Sequence, residues 1–244
     1  MMFPQGLPLR LGRWCRALTL VFCGLPATGG AVAANPAPLT LDAARECFAR
    51  RGLDVLVFNN WYDGAFSDAK IAGVELIHHG VRTATNGDVR LEPTPGQWDA
   101  TPRLVERRVL TAESAIEVRL AYDDWHFAYT VRAEPCGEGL RLTVQLDRPL
   151  PAELVGRAGF NLEFVPAAYW DKSYLMDAQT GVFPRYPVGP TQRGAGGVVE
   201  RAPFTTGRSL VLAPEDPERR VAITARRGAL KVYDGRNQAQ NGWF

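Results

Sequence analysis

The chain has 244 residues, 46% of them hydrophobic, with 28 basic and 26 acidic side chains and a formal net charge of +2. Three arginines precede every acidic residue, and without them the net charge is near −1. Paired arginines occur at Arg107-Arg108, Arg219-Arg220 and Arg226-Arg227. They fall on predicted strands, where neighbouring side chains point to opposite faces, so they form no single basic patch. The charge pattern therefore excludes nucleic acid as a partner.

The N-terminal segment has the three parts of an export signal. A positive start (Arg10, Arg13 and Arg16) precedes an apolar run of about eleven residues, 17–27. Small residues that a signal peptidase reads follow at Ala31, Ala33 and Ala34. A membrane-spanning helix needs about 20 apolar residues, so we predict a cleaved Sec signal over residues 1–34. The protein is then secreted or periplasmic, without a membrane anchor after cleavage. The alternative is an ordinary buried N-terminal helix.

Residues 40–51 predict the one helix of the chain. Thr40 can cap it, Asp42 and Glu46 favour its early turns, and Gly52 can end it. The cysteines outside the signal are Cys47 and Cys136. An oxidising compartment permits a disulfide between them, and the alternative is two buried free thiols that act as small apolar side chains.

The hydrophobic period becomes two from residue 54 onward, as in a sheet with one solvated face. The predicted strands are residues 54–59, 73–79, 89–91, 104–110, 115–122, 127–133, 140–146, 160–165, 173–176, 181–186, 209–213, 221–226 and 229–233. Turn residues separate them at Asn86-Gly87-Asp88, Pro93-Thr94-Pro95-Gly96, Gly137-Glu138-Gly139 and Arg227-Gly228.

Many short strands without alternating helices predict an all-β fold, a large antiparallel β-sandwich with one short N-terminal helix. The expected core includes Val55, Val57, Leu76, Val118, Leu120, Phe160, Leu162, Val211 and Ile223. We interpret residues 35–244 as one β-sandwich module. Residues 189–203 are either a long loop or a division between two lobes.

Common catalytic patterns are absent from the sequence. His78 and His79 are neighbours on a predicted strand, so their side chains diverge, and no H-E-x-x-H or C-x-x-C occurs. No G-x-S-x-G occurs either, and the glycines at 194–197 lack the ending of a phosphate loop. We therefore expect no metal and no cofactor. Acids that a glycosidase would need are abundant, and the pattern selects no pair among Asp63, Asp68, Asp123, Asp124, Glu163, Asp171 and Asp177.

Three clusters place aromatic residues beside acids at predicted strand ends. They are Trp61-Tyr62-Asp63, Tyr122-Asp123-Asp124-Trp125 and Tyr169-Trp170-Asp171. Sugar rings have apolar C–H faces edged with hydroxyls, and such pairs suit them, particularly on loops. The candidate carbohydrate-binding residues are Trp61, Tyr62, Asp63, Trp125, Tyr169, Trp170 and Asp171. The alternative is that these aromatic residues belong to the core.

Five segments together resemble a known family. They are RGLDVLVFNNWYDGAF (51–66), VELIHHGVRTATNGDVRLEPTPGQWD (74–99), GFNLEFVPAAYWDKSYLMDAQTGVFPR (159–185), LVLAPEDPERRVAI (210–223) and VYDGRNQAQNGWF (232–244). In this order they resemble the N-terminal β-rich region of bacterial multidomain proteins of glycoside hydrolase family 9. That family acts mostly on β-1,4-glucans such as cellulose.

The resemblance implies a polysaccharide-associated module rather than a catalyst. The family's catalytic domain is a helical barrel with an Asp-Ala-Gly-Asp segment, and this sequence has neither that segment nor repeated long amphipathic helices. No catalytic residue can be assigned. We expect a secreted, non-catalytic β-sandwich module whose partner is a polysaccharide or a downstream catalytic domain. The alternatives are a stand-alone small glycosidase or lyase that uses surface carboxylates, and a ligand-free periplasmic structural protein.

The C-terminal residues predict a module cut short. Asn241-Gly242 is a strong hairpin-turn signal, and Trp243-Phe244 would open the returning strand. Termini are usually polar and frayed.

Overall fold

The computed structural model describes residues 18–22, 37–64, 67–91, 100–187, 192–193, 199–200 and 203–237. The predicted all-β fold is confirmed: the described residues form several antiparallel sheets, consistent with a sandwich. The predicted turn at residues 93–96 and the C-terminal turn at 241–242 lie outside the described residues.

The strands are, in chain order, β1 (Leu18–Phe22), β2 (Thr40–Asp42), β3 (Cys47–Arg50), β4 (Leu53–Gly64), β5 (Ser67–His78), β6 (Val81–Leu91), β7 (Arg103–Leu110), β8 (Ala115–Tyr122), β9 (Phe127–Cys136), β10 (Gly139–Leu146), β11 (Ala158–Phe164), β12 (Ser173–Met176), β13 (Gln179–Val182), β14 (Gln192–Arg193), β15 (Val199–Glu200), β16 (Thr205–Gly207), β17 (Ser209–Leu212), β18 (Val221–Ala225) and β19 (Leu230–Val232). One short helix, α1 (Pro166–Tyr169), follows β11. Single 3₁₀ turns lie at Thr111–Glu113, Asp123–Trp125, Ala152–Leu154 and Gly235–Asn237.

Two large sheets form the sandwich. The nine-stranded sheet has the order β13-β12-β17-β18-β1-β10-β9-β8-β7, and the six-stranded sheet has the order β11-β6-β5-β4-β3-β2. Two small sheets pair β14 with β15 and β16 with β19. The pairings in both large sheets are antiparallel.

A single apolar cluster lies between the sheets. Val57 and Phe48 of the six-stranded sheet and Val118, Leu120 and Leu142 of the nine-stranded sheet belong to it and are almost completely buried. Burying one such side chain stabilises the fold by about 1.5–3 kcal/mol. The predicted core is confirmed, except that Phe160 and Leu162 are partly buried and pack against the cluster from its side.

The helix predicted over residues 40–51 is wrong. These residues form the hairpin β2–β3, in which Leu41 lies opposite Phe48. Asp42 bends the chain by accepting hydrogen bonds from the N–H groups of Ala44 and Arg45, at 3.1 and 3.0 Å from Oδ1. Aspartate at such a position competes with a helix by capping a turn, and burial of Phe48 outweighs the weak helical pattern.

The turn predicted at Asn86-Gly87-Asp88 is also wrong, because these residues lie inside β6. The Asn-Gly pattern marks a β-bulge instead. Next to Gly87, the pairing of β6 shifts register against both neighbouring strands, β11 and β5. Asn86 adopts a positive φ of 54°, which asparagine tolerates better than most residues. Turn residues inside a strand commonly mark a bulge.

The apolar run of the predicted export signal contains β1. The residues Leu18–Phe22 lie between β10 and β18 and pair with both of them. The sequence pattern predicted an export segment here and gave no indication of this strand.

Candidate functional site

The first aromatic cluster lies on β4. Trp61 is 56% exposed and lies opposite Ile71 of β5. Tyr62 and Asp63 continue the same strand, and their side chains lie outside the described part of the structure. Of the side chains that the structure describes in this cluster, Trp61 is the one exposed to solvent.

The aromatic residues of the second cluster belong to the core. Tyr122 is 3% exposed, and its hydroxyl donates a hydrogen bond of 2.8 Å to the carbonyl of Val89. Trp125 packs against the same core. Asp123 is exposed and accepts hydrogen bonds of 2.7 and 2.9 Å from Arg103. This cluster therefore presents an ion pair, while Tyr122 is buried and Trp125 is partly buried.

The third cluster divides between core and surface. Tyr169 at the end of α1 is fully buried, packs edge-on against Phe164 with ring centroids 5.4 Å apart, and donates a hydrogen bond to the Arg219 carbonyl. Burial raises the pKa of its phenol. The next residue, Trp170, is 40% exposed. A buried tyrosine thus fixes the base of a tryptophan that faces solvent.

Asp171 continues this exposed edge and bonds to a second segment. Its backbone takes a positive φ of 60°, and its N–H donates a 3.0 Å hydrogen bond to the carbonyl of Phe183. Its carboxylate accepts from both Nε and Nη2 of Arg185, with Nε at 3.0 Å. The residue after Arg185 is Tyr186, which is 74% exposed. The ion pair therefore joins two segments, each of which carries an exposed aromatic residue.

A buried ion pair holds the Arg185 segment in place. Arg236 donates hydrogen bonds to the carbonyls of Pro184 and Arg185, at 2.7 and 2.8 Å. Its Nε donates to Asp234 Oδ1 at 2.9 Å, and the Asp234 side chain is 2% exposed. Separating the two side chains would leave a buried charge without a partner, which is strongly unfavourable, so each side chain holds the other in position. The segment that carries Arg185 and Tyr186 is therefore fixed rather than loose.

We name Trp170, Asp171, Arg185 and Tyr186 the aromatic ion-pair site. Sequence reasoning identified Trp170 and Asp171 and missed the other two. Arg185 and Tyr186 lie at the end of a predicted strand, and their position beside Asp171 depends on long-range pairing. The aromatic and basic letters in Pro184-Arg185-Tyr186-Pro187 were a usable signal, since prolines on both sides favour a fixed, extended segment.

A second polar cluster lies on the six-stranded sheet, around Glu75. Its neighbours Val74 and Leu76 belong to the core. Successive side chains of a strand point to opposite faces, so Glu75 lies on the face away from this core. The carboxylate accepts from Thr85 Oγ1 at 2.9 Å and Asn60 Nδ2 at 3.0 Å, and pairs with Arg82 Nε at 2.8 Å. Its side chain is 0% exposed. A carboxylate this closed to solvent and fully hydrogen-bonded stabilises the fold, and no ligand reaches it.

Cys47 and Cys136 are free thiols in the structure, so the predicted disulfide is not present. Cys47 is buried on β3, and burial raises the pKa of its thiol. Cys136 ends β9, where its Sγ accepts from Arg141 Nη2 at 3.3 Å. The two belong to different sheets.

Among the described residues, no group of three or more His, Cys, Asp or Glu side chains is arranged to hold a metal ion. Within the same residues, no helix has the length and apolar character to span a membrane. Comparison of the chain with family models, with curated proteins and with solved structures found no match.

Proposed function

We propose that the protein is a secreted, non-catalytic β-sandwich module that binds polysaccharide at the aromatic ion-pair site. The observation that carries the proposal is that the Asp171–Arg185 ion pair joins two segments, each with an exposed aromatic residue next to the pair, Trp170 and Tyr186. Aromatic rings pack on the apolar faces of sugar rings, while a carboxylate and a guanidinium bond their hydroxyls. The ligand class that fits is a neutral glycan, and the resemblance suggests a β-1,4-glucan.

The fixed backbone of the site favours a role in ligand binding. Arg236, paired with Asp234, holds the Arg185 segment by two hydrogen bonds. The backbone of this segment therefore loses little conformational entropy when a ligand binds. Exposed aromatic side chains on such rigid positions are typical of recognition surfaces. As a module of a polysaccharide-degrading protein, it would bring substrate to a downstream catalytic domain.

Affinity electrophoresis in a soluble β-1,4-glucan tests the proposal. We expect the protein to be retarded relative to a gel without glucan, and W170A and Y186A to abolish most of the retardation. Losing one large apolar contact costs about 1.5–3 kcal/mol, which is at least about tenfold in Kd.

Two matched variants make the test specific. W61A removes an exposed tryptophan of the six-stranded sheet, and R103A breaks an exposed ion pair similar in exposure to that of Arg185. Both should leave retardation unchanged, whereas R185A should reduce it. A protein that is not retarded contradicts sugar binding, and loss in W61A alone moves the site to β4. Release of reducing ends by the pure protein, abolished by D171N, favours the enzyme alternative.

A further inference from the structure

Strand β6 buries several polar side chains. Every residue from Thr83 to Leu91 is buried, and the polar ones among them are Thr83, Thr85, Asn86, Asp88 and Arg90. A polar side chain that is removed from water costs free energy unless it is hydrogen-bonded. Each of these five side chains is therefore expected to have a partner.

Four of the five have one, and Arg90 is the exception. The pairs, at 2.6–2.9 Å, are Thr83 with His78, Thr85 with Glu75, Asn86 with Glu163 and Asp88 with Tyr129. Arg90 is 7% exposed, and its Nε is buried without a hydrogen-bond partner among the described residues. Within the same part of the chain it forms no ion pair either.

Arg90 lies beside an open space at the edge of the six-stranded sheet. Its neighbours Val89 and Leu91 belong to the core, so the Arg90 side chain lies on the other face. The residue directly opposite is Gly159 of β11, the strand at the edge of this sheet. Gly159 is exposed, and a Cβ there would meet no atom within 4 Å. Directly opposite residues of an antiparallel pair carry their side chains on the same face, so the glycine leaves Arg90 uncovered on this side.

The charge of Arg90 lacks a counter-ion among the described residues. An arginine stays protonated in proteins, and a buried charge without a partner is strongly destabilising. The acid two positions away, Asp88, accepts hydrogen bonds from the Tyr129 hydroxyl and the Val89 N–H. The planar guanidinium group matches the paired oxygens of a carboxylate or a phosphate.

We propose that Arg90 is the anchor of an oxyanion-binding site, in which it takes the carboxylate or phosphate group of a ligand that enters over Gly159. Such a group supplies both a hydrogen-bond acceptor for Nε and the missing negative charge. A neutral sugar supplies an acceptor alone, so this site selects a different ligand class from the aromatic ion-pair site.

The inference goes beyond the proposed function and does not rest on it. Arg90 belongs to β6, whereas the aromatic ion-pair site lies next to β12 and β13. W170A and Y186A should leave oxyanion binding unchanged, and R90Q should leave retardation in the glucan gel unchanged. The two proposals therefore fail separately.

An NMR titration of the full chain tests the site through the Nε–Hε resonance of Arg90. The probes are glucuronate, inorganic phosphate and, as the neutral control, glucose, at constant ionic strength. We expect a saturable shift with glucuronate, phosphate or both, and none with glucose. The ligand that produces the shift distinguishes a carboxylate from a phosphate. No shift with either anion, or an equal shift with glucose, overturns the proposal.

Melting temperatures of three variants show whether Arg90 is responsible. At about ten times its Kd, the bound anion should raise the melting temperature of the unaltered protein by about 3–6 °C. R90Q should lose this rise. R141Q is the matched control and should keep it, because Arg141 also has a buried Nε without a partner but pairs with Glu134 at 3.2 Å.

G159L keeps Arg90 and closes the space beside it. The added side chain should weaken anion binding at least about tenfold by steric conflict, and it decides the question even where R90Q fails to fold. An equal rise in melting temperature for R90Q and the unaltered protein, or an unchanged Kd in G159L, overturns the proposal.

Discussion

His78 lies buried at the end of β5, with its Nδ1 2.6 Å from Thr83 Oγ1. Burial, helped by Arg219 and Arg50 nearby, lowers the pKa of its imidazole to about 4. The next residue, His79, is exposed. The expectation that these two histidines diverge is confirmed.

The buried imidazole predicts a pH dependence of stability. Above its unfolded pKa of about 6.5 His78 is neutral in both states, but between pH 6.5 and 4 the unfolded state binds a proton that the folded state excludes. The free energy of unfolding should therefore decrease as the pH is lowered from 6.5 to 4, by up to about 1.4 kcal/mol per pH unit. Urea unfolding at several pH values measures the slope.

Two variants identify the group responsible. H78Q should flatten the slope between pH 6.5 and 4, and H79Q should keep it. Hydrogen bonds from basic side chains hold the pKa values of the Asp42, Asp123 and Asp216 carboxyls below their usual value, so the stability they contribute is lost mainly below this window. An unchanged slope in H78Q would assign the effect to another group.

For single residues, the sequence predicted the clusters of aromatic and acidic residues more reliably than the direction in which each side chain points. Trp170 and Asp171 were predicted at a binding surface and are exposed, whereas Tyr169 and Trp125 pack in or against the core. The local sequence alone cannot distinguish a buried aromatic residue from an exposed one. Whether an aromatic ring such as that of Tyr169 is buried depends also on distant residues, for example Arg219, 50 positions later, whose carbonyl accepts from the Tyr169 hydroxyl.

Among the elements, the close approach of β5 and β6 leaves no room for a side chain at Gly73. A Cβ added to Gly73 would lie 2.2 Å from the carbonyl oxygen of Gly87, which is backbone and cannot move cheaply. We expect G73A to destabilise the protein by about 2–3 kcal/mol, as overpacking does.

Gly159 on β11 is the matched control. A Cβ there meets no atom within 4 Å, so G159A should change the free energy of unfolding by no more than about 0.5 kcal/mol. Urea denaturation of both variants measures the difference. Equal stability of G73A and G159A would show that the two strands separate easily at this point.

The element predictions failed where side-chain chemistry fitted two structures. Thr40, Asp42 and Gly52 suit the ends of a helix, yet Asp42 also caps a turn, and pairing of β3 with β4 selects the hairpin. Asn86-Gly87 suits a tight turn and equally a bulge. The long alternating strands, such as β8 and β10, were predicted well because one face is buried along their whole length.

Across the whole molecule, Arg107 ties the two sheets together at an edge. It extends from β7 with its side chain 13% exposed, and donates to the carbonyls of Val57 and Glu46 at 2.9 and 2.8 Å. R107A leaves both acceptors without this donor, and charged hydrogen bonds contribute about 1.5–3 kcal/mol each. We therefore expect a loss of at least about 1.5 kcal/mol in the free energy of unfolding.

R108A is the control for this prediction. Arg108 is the next residue on the same strand, is 54% exposed and pairs with Glu117 at 2.7 Å. Exposed ion pairs contribute about 0–1 kcal/mol, so R108A should melt close to the unaltered protein. Similar melting temperatures for R107A and R108A would mean that the sheets do not depend on this contact.

The sandwich itself could be predicted from the period of two, and the order of its strands could not. The consecutive strands β7 to β10 follow from short turns such as the one at Gly137, with φ of 59°. Placing β12 beside β17, or β1 between β10 and β18, requires pairings between distant segments. Such pairings depend on the whole core, which no local pattern encodes.

The central position of β1 also has a consequence for the rate of folding. The first strand among the described residues, β1, pairs with β10 and β18, which lie far later in the sequence. Bringing such distant segments together has a high entropic cost, and folds with many distant contacts form slowly. The nine-stranded sheet therefore closes late in folding, once β10 and β18 have come together on the two sides of β1.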